Sequence, residues 1–467
     1  MTWACILLPQ LALDGVLRRR DDDGPLVLID GPVNARVIVA LNASARAAGL
    51  RVGQRLVAAR ALLAQFEMLP HDAAMVGRWQ RFLAAVAYRY SSTVGLLPHA
   101  IVLEVGHSLG LFGPWPRLEA MLREEFAALG FRHRIALAPT PQAAWVLAGL
   151  QDGAAVPELA RLRPALQDVP MRKSRLPAVA VERLAGMGIH TLGQLFRLPR
   201  DGLRRRFGCE LQEALERLLG ERPPGLDSYL PPDRFDLSIE LSHEVENVAS
   251  LVFPLRRMTG DLAAYLAGRD GGVQRFVLRL EHREGRVTEV RVGLLAPQRD
   301  AGMLFETARG RLEQVQLPEP VLGLRLLARD LPAFVPAGRD LFDETPLHAL
   351  PLDQLRERLR ARLGEQAVHR LVATTDPRPE RAQAVADTDA GHDEPHPRPT
   401  WLLPQPIPLR GPSPRILAGP ERLETGWWDG AEACRDYYVV ETSLGQRAWA
   451  FCPTGEQGGW MLQGWFA

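Results

Sequence analysis

Lysine is almost missing from this chain. Of its 56 basic residues only Lys173 is a lysine, so contacts that depend on a flexible ammonium group have almost no donor here. A GC-rich genome accounts for the arginine bias. Long apolar runs are missing as well: none approaches the roughly 20 residues of a membrane-spanning helix, which argues against a spanning segment. The amino terminus lacks a basic stretch followed by an apolar core and a small-residue cleavage site, so no signal peptide is expected. Four cysteines (Cys5, Cys209, Cys434 and Cys452) lie far apart without metal-ligand spacing. That pattern excludes a disulfide framework and a zinc motif, and it fits a reducing cytoplasm. Excess charge is also lacking. The net charge is +1, so affinity for nucleic acid must come from local patches rather than from the whole molecule.

What remains is ordinary globular composition, 46% hydrophobic and 24% charged, in a chain of 467 residues. That length is too great for one core and implies several domains. Residues 1–170 read as α/β: strand-like runs at Ala4–Leu8, Pro25–Ile29, Val37–Leu41, Ile101–Val105 and Arg134–Ala138 alternate with helical stretches such as Val52–Ala64, Met75–Tyr90 and Leu118–Leu129. Residues 171–230 change to short helices with glycine turns. Residues 231–335 read as α+β, with strands expected at Asp236–Leu241, Arg275–His282, Thr288–Leu295 and Val321–Ala328 and helices at Met258–Leu266 and Met303–Glu313. Residues 336–372 contain an amphipathic helix striped by Leu352, Leu355, Leu359 and Leu363, which packing on a neighbouring domain would explain. Residues 373–400 carry almost no large apolar groups and are expected to be a disordered linker. The tail, 401–467, holds six of the ten tryptophans.

Two segments of the α/β region carry no carboxylate where a nucleotidyl-transfer enzyme would need one. They are Trp3-Ala4-Cys5-Ile6-Leu7-Leu8-Pro9-Gln10-Leu11 and Leu96-Leu97-Pro98-His99-Ala100-Ile101-Val102-Leu103-Glu104-Val105. Together they resemble the palm of a Y-family (DinB/UmuC-like) translesion DNA polymerase. In that family an Asp-x-Asp and an Asp-Glu pair hold two divalent metals, which require several hard oxygen ligands. Leu7, Pro9, His99 and Ala100 occupy those positions. A lone histidine without acidic neighbours, such as His99, is not read as a ligand, and no metal or cofactor is expected.

The resemblance extends over about residues 1–330. Ala40-Leu41-Asn42-Ala43-Ser44-Ala45-Arg46-Ala47-Ala48-Gly49-Leu50 is similar to the fingers motif Ser-Tyr-Glu-Ala-Arg-x-x-Gly-Val, keeping Arg46 and Gly49 but placing Ala43 where the tyrosine stands. Arg134-Ile135-Ala136-Leu137-Ala138 is similar to the start of Gly-Ile-Ala-x-Asn-Lys, but runs into Pro139-Thr140-Pro141 without the lysine. The tail segments Arg422–Gly430, Arg435–Tyr438 and Gly459–Ala467 resemble the ImuB-type branch, the catalytically silent Y-family homologues of bacterial mutagenesis cassettes. The resemblance implies palm and fingers, a helix-hairpin-helix thumb, a little-finger DNA-binding domain and a small aromatic-rich carboxy-terminal region. It also implies a role in SOS-induced error-prone synthesis beside ImuA and a C-family DNA polymerase, in the cytoplasm and at the nucleoid.

Four groups of residues are candidate sites. Gly186, Gly188 and Gly193 permit tight turns whose N–H groups could face a phosphate. Residues 172–222 carry eleven Arg/Lys against six Asp/Glu, including Arg204, Arg205 and Arg206. The expectation is DNA contact without sequence preference; the alternative is a helical packing unit with a solvated basic face. Gly338-Arg339-Asp340-Leu341-Phe342 resembles the peptide that binds the sliding clamp (the beta subunit of DNA polymerase III), and a hydrophobic pair pinning a linker is its plainer reading. Trp427, Trp428, Tyr437, Trp460 and Trp465 are read as the partner-binding residues of a small core that presents one face, with a base-stacking platform as another reading, and Tyr437–Val440 with Arg447–Phe451 as a hairpin within it. An active polymerase using Glu104 and Asp14 as rearranged ligands is the rival, and a repair adapter without a clamp link is a third reading.

Overall fold

In the computed structural model, which describes residues 1–334, 352–385 and 398–466 apart from 19, 21, 22, 365, 366, 370, 375 and 457, strand β1 (Trp3–Leu7) is buried along its whole length. Helix α1 (Leu11–Leu17) follows. A three-stranded sheet comes next, built from β2 (Leu26–Asp30), β3 (Val37–Leu41) and β4 (Glu67–Pro70), with α2 (Ala43–Ala47) and α3 (Leu56–Leu62) between its last two strands. Helix α4 (Ala73–Ala87) leads back to the main sheet. That sheet is completed by β5 (Val94–Leu97), β6 (Ala100–Glu104), β7 (Arg134–Ala138) and β8 (Ala154–Ala155), in the order β5-β6-β1-β7-β8. Helices α5 (Leu109–Phe112) and α6 (Trp115–Ala128) precede β7, and α7 (Pro141–Leu150) follows it.

Period-two alternation explains why both faces of this sheet are apolar. Ala4, Ile6 and Leu8 face α4 and α6, whereas Trp3, Cys5 and Leu7 face α7 and a helical segment. That segment comprises α8 (Leu159–Leu166), α9 (Ala178–Gly186), α10 (Leu192–Phe196) and α11 (Arg200–Leu219). Gly208, at φ +82°, divides α11 into two helical runs.

The next stretch runs β9 (Phe235–Val245), α12 (Val252–Gly268), β10 (Val273–Glu281), β11 (Val287–Gln298), α13 (Ala301–Leu312) and β12 (Val321–Asp330). All four expected strands and both expected helices correspond to these elements, with His282 and Glu313 falling one residue past β10 and α13. The strands form an antiparallel sheet ordered β11-β10-β12-β9. One hydrophobic core runs from the main sheet through α4 into α12 and this second sheet. Residues 1–361 consequently cluster as one compact unit. The junction is tight. A Cβ on Gly268 would stand 2.0 Å from the Ala85 carbonyl oxygen, so only glycine lets α12 approach α4 this closely. Within it Arg18 donates to both carboxylate oxygens of Asp261 at 3.0 and 2.5 Å, and the guanidinium lies over Trp79 (4.7 Å) and Phe131 (4.9 Å).

Helix α14 (Leu352–Leu363) has the expected stripe, but Leu352, Leu355, Leu359 and Leu363 are all exposed. The second unit spans residues 362–467. Its first element corrects an expectation. Part of the stretch read as disordered forms a hairpin of β13 (Leu371–Ala373) and β14 (Gln383–Val385). Composition missed it because ion pairs hold the turn that joins its strands. Arg378, with a side chain 2% exposed, binds Asp376 and Asp429. Strands β15 (Trp401–Pro408), β16 (Arg415–Thr425), β17 (Ala433–Glu441), β18 (Arg447–Pro453) and β19 (Met461–Trp465) form an antiparallel sheet ordered β15-β19-β18-β17-β16. The expected hairpin is present, pairing Tyr437 with Phe451 and Val440 with Ala448. Among the described residues no helix is long and apolar enough to cross a membrane.

Candidate functional site

Leu7 and Ala100, two of the residues at the expected carboxylate positions, stand directly opposite each other on β1 and β6. Both are buried in the apolar layer that packs on α7 and the helical segment. On its other side Leu7 is paired with Arg134, which therefore shares its face of the sheet. Pro98 and His99 form the two-residue turn between β5 and β6. His99 adopts φ +55°, a conformation histidine tolerates better than most residues, and its carbonyl accepts from the Leu8 N–H at 2.8 Å. Gln80 of α4 donates to the Leu97 and Ala100 carbonyls, which fixes the turn. Pro9 and the His99 side chain are exposed. Aliphatic side chains beside an arginine do not suit a pair of divalent cations, and none of these residues fits the family's metals. Among the described residues no cluster of three His, Cys, Asp or Glu could hold a metal.

The two acids of the rival reading lie elsewhere and are engaged. Glu104 pairs with Trp3, four residues along the strand from the Leu7–Ala100 pair and so about 13 Å away. Its carboxylate accepts from the N–H groups of Thr2 and Gly106. Asp14, on α1, accepts from the Arg132 backbone and guanidinium, and burial raises its pKa. Both carboxylates anchor chain ends and loops.

The two segments that resemble nucleotide-contact motifs hold helix caps. Asn42 caps α2, accepting from the Ala45 N–H, and Ala43, Arg46 and Gly49 all lie exposed on this small lobe. Where a lysine would follow β7, Thr140 caps α7 by accepting from the Ala143 N–H, and Pro141 occupies the first turn.

In the helical segment the glycines do not offer the free N–H groups expected of them. Gly193 donates to the Gln167 carbonyl at 2.8 Å, and a Cβ there would meet that same oxygen. Gly188, at φ +82°, ends α9 and donates to Ala185, while Gly186 is the last residue of that helix. Their role is close packing and helix termination. Arg204, Arg205 and Arg206 are exposed on the first run of α11.

Basic positions that motif reading passed over lie on the second sheet. Arg275 and Arg279 of β10, Arg291 of β11 and Arg325 of β12 occupy the strand face opposite the buried Phe276, Leu278, Val292 and Leu326. Their two-residue alternation was the available signal. Acids partly neutralise them: Arg325 binds Asp236, and Arg279 binds Glu289. Next to this face, α4, the chain around Tyr229 and β9 enclose a cleft of about 540 Å³ rimmed by Arg78, Arg81, Arg234 and Arg325. Among the described residues neither Arg81 nor Arg234 has a carboxylate within ion-pair range.

The tail residues separate into core and surface. Tyr437 is 1% exposed, stacked on Trp449 at 4.1 Å and packed on Phe451, so it belongs to the core and not to a partner face. Trp460 and Trp465 are half-buried in the apolar cluster on the other side of the sheet. Trp427 and Trp428 are 77% and 61% exposed, edge to face at 5.6 Å. Their turn is held by Arg378, which donates to Asp429 and to the Ala431 carbonyl, and Gly426 at φ +83° leaves room for that guanidinium. The segment Gly338–Phe342 lies outside the described residues.

Residues 15–149 match the impB/mucB/samB family. Protein ImuB of Caulobacter vibrioides (strain NA1000 / CB15N) is 28% identical over 466 residues, covering 90% of this chain and 100% of that protein. DNA polymerase IV of Yersinia pseudotuberculosis (serotype O:1b, strain IP 31758) is 28% identical over 232 residues, 47% of this chain and 64% of the relative. Among solved structures, DinB from Sulfolobus solfataricus aligns with 72% of this chain and 100% of its own, at 13% identity and a TM-score of 0.39.

Proposed function

Since residues 15–149 make up an impB/mucB/samB-family domain of the Y-family kind and the chain is similar to ImuB nearly end to end, we propose that it is a polymerase-shaped scaffold without polymerase activity. It acts in SOS-induced error-prone translesion synthesis, holding DNA, the sliding clamp and the proteins that do the synthesis. The observation that carries this reading is the buried Leu7–Ala100 pair beside Arg134, where two-metal catalysis needs carboxylates. The rival, an active polymerase with rearranged ligands, loses its support because Glu104 and Asp14 are both engaged away from that pair.

DNA contact falls to the helix-hairpin-helix thumb, through Arg204, Arg205 and Arg206, and to the outward face and cleft of the little-finger-like domain. Charge pairing on that face favours weak contact without sequence preference. Leu341 and Phe342 supply the two apolar anchors of a clamp-binding peptide. The tail recruits ImuA and a C-family polymerase through Trp427 and Trp428. Weak contacts to clamp, DNA and partners then combine through effective concentration.

The deciding test is primer extension by the purified protein with Mg²⁺ or Mn²⁺ on undamaged and lesion-bearing templates. No incorporation is expected; incorporation that disappears in Glu104→Ala would establish the rival. Pulldown with the sliding clamp separates the scaffold from a repair adapter without a clamp link. Leu341→Ala with Phe342→Ala should abolish capture and leave the fold intact.

A further inference from the structure

The lobe carrying α2 and α3 holds a surface with its own chemistry. Residues 31–66 include five arginines and not one Asp or Glu, in a chain whose totals are 56 bases and 55 acids. Backbone pairing brings three of the five together. The Leu56 N–H donates to the Arg36 carbonyl, the Gly53 N–H to Ile38 and the Ile38 N–H to Gln54, and Val37 bridges Arg55. Arg36, Arg51 and Arg55 thereby cluster at the start of α3. Arg46 is exposed on α2, and Arg60 reaches the Met68 sulfur at 3.5 Å. Among the described residues none of the five forms an ion pair. The acids bordering the lobe, Asp30 and Glu67, face His71 and Arg20.

The cations frame an apolar helix surface. Of α3's exposed positions only Arg60 is polar, the others being Val57, Ala58, Ala61 and Leu62. Val57 is 82% exposed and Leu62 64%, and Val52 on the preceding turn is also open. A solvated helix normally turns a polar face to water; one apolar on its outer side calls for a cover.

We infer that this lobe is a docking surface for an acidic amphipathic segment of a protein partner. The partner's aliphatic anchors lie on Val57 and Leu62, and its carboxylates pair with Arg36, Arg51 and Arg55. Charge complementarity sets the sign of the occupant, because unpaired guanidinium groups bind carboxylates in charge-assisted, often bidentate geometry. The aliphatic strip separates a peptide from a nucleic acid. Phosphates would satisfy the arginines but leave Val57 and Leu62 wet, and bases stack on aromatic faces. The only aromatic residue in 31–66 is Phe66, which is half-buried in the lobe's core. This surface is distinct from the DNA, clamp and tail contacts proposed above, and it stands or falls separately from them.

The test is fluorescence anisotropy on the full chain with three labelled probes. One is a glutamate-rich peptide with leucines at helical spacing, the second the same peptide with every leucine replaced by serine, and the third an oligothymidylate. The leucine peptide should bind about tenfold more tightly than its serine counterpart. That affinity should fall about tenfold both in Val57→Ser with Leu62→Ser and in Arg51→Ser with Arg55→Ser, all exposed positions whose change leaves the thermal transition in place. Oligothymidylate binding should not respond to the Val57/Leu62 change. Equal binding of both peptides would reduce the surface to bulk charge. Oligothymidylate binding that fell with Val57 and Leu62, or peptide binding that ignored both double variants, would overturn the proposal.

Discussion

Two buried arginines do opposite work in the two units. Arg18 and Arg378 each have side chains 2% exposed, and each grips aspartate with two nitrogens. Arg18 lies against Trp79 and Phe131 and joins residues 243 apart, so its pair with Asp261 seals α12 against the main-sheet helices. Arg378 collects two acids and a carbonyl around one turn, and the product is two exposed indoles. A salt bridge surrounded by apolar groups closes an interface, whereas one that gathers a loop displays one. The deciding variable is what the neighbouring side chains leave uncovered.

The largest effect should come from breaking the seal. Arg18→Ala removes the guanidinium that both Asp261 oxygens accept from and should cost about 3–5 kcal/mol, as removal of one partner from a buried pair generally does. Replacing both, Arg18→Met with Asp261→Leu, should recover most of that. Hydrogen exchange of α4 and α12 distinguishes local opening from global loss, and unchanged protection in Arg18→Ala would remove the pair's sealing role. Next in size is Gly268→Ala, where the added carbon overlaps the Ala85 carbonyl and α12 must retreat. Overpacking of this kind costs about 1–3 kcal/mol, or more where backbone must move, and a lowered thermal transition would register it.

The third test addresses the loop. Arg378→Met should leave the sheet intact but free the Trp427–Trp428 turn, weakening partner capture about tenfold through lost pre-organisation of two large side chains. Indole emission and its quenching by acrylamide would report the loosened turn. Arg378 holds the Asp429 and Asp376 carboxyls below the ordinary carboxylate range. Carboxylates depressed in the folded state stabilise it above their unfolded pKa, near 3.9, and lose that contribution as pH falls through the lower folded value. Tryptophan emission from the turn should thus be flat from pH 7 to about 5 and change only in stronger acid. A transition near neutrality would contradict the assignment.

The sequence made part of this comparison legible. Alternating apolar residues revealed β1, β2, β3, β6, β7 and the four strands β9–β12 but not β4, β5 or β8, and the strands around Leu7 and Ala100 kept their pattern. The tail hairpin was legible too, from Tyr437–Val440 and Arg447–Phe451. Neither buried arginine was. A pair separated by 243 residues leaves no local signature, and Arg378 sits in a stretch whose polar composition argued for disorder because ordering by ion pairs looks the same as no ordering at all. Tyr437 was misassigned for a related reason: an aromatic residue at a strand centre and one at a turn have the same composition but opposite exposure. The glycines of the helical segment were identified as turns, but which N–H groups remain free depends on Gln167 and Ala185, whose positions only the fold supplies.

The smallest effect concerns the sheet face, where ion pairs neither seal nor display but hold arginines away from other partners. Arg325 binds Asp236 at 2.7 and 2.8 Å with both side chains about 40% exposed. An exposed pair of this type contributes at most about 1 kcal/mol to stability, so Asp236→Asn should barely move the thermal transition. Its effect should appear in DNA binding. Releasing one guanidinium adds about one phosphate contact, which should steepen the slope of log affinity against log salt by about 0.9 and raise low-salt affinity a few fold. Arg325→Ala removes both the pair and the candidate contact, so it should leave the slope near that of the unaltered protein. If Asp236→Asn and Arg325→Ala gave the same slope, Arg325 would not touch DNA, and the interface would contract to Arg204–Arg206 and the cleft's other arginines, Arg78, Arg81 and Arg234.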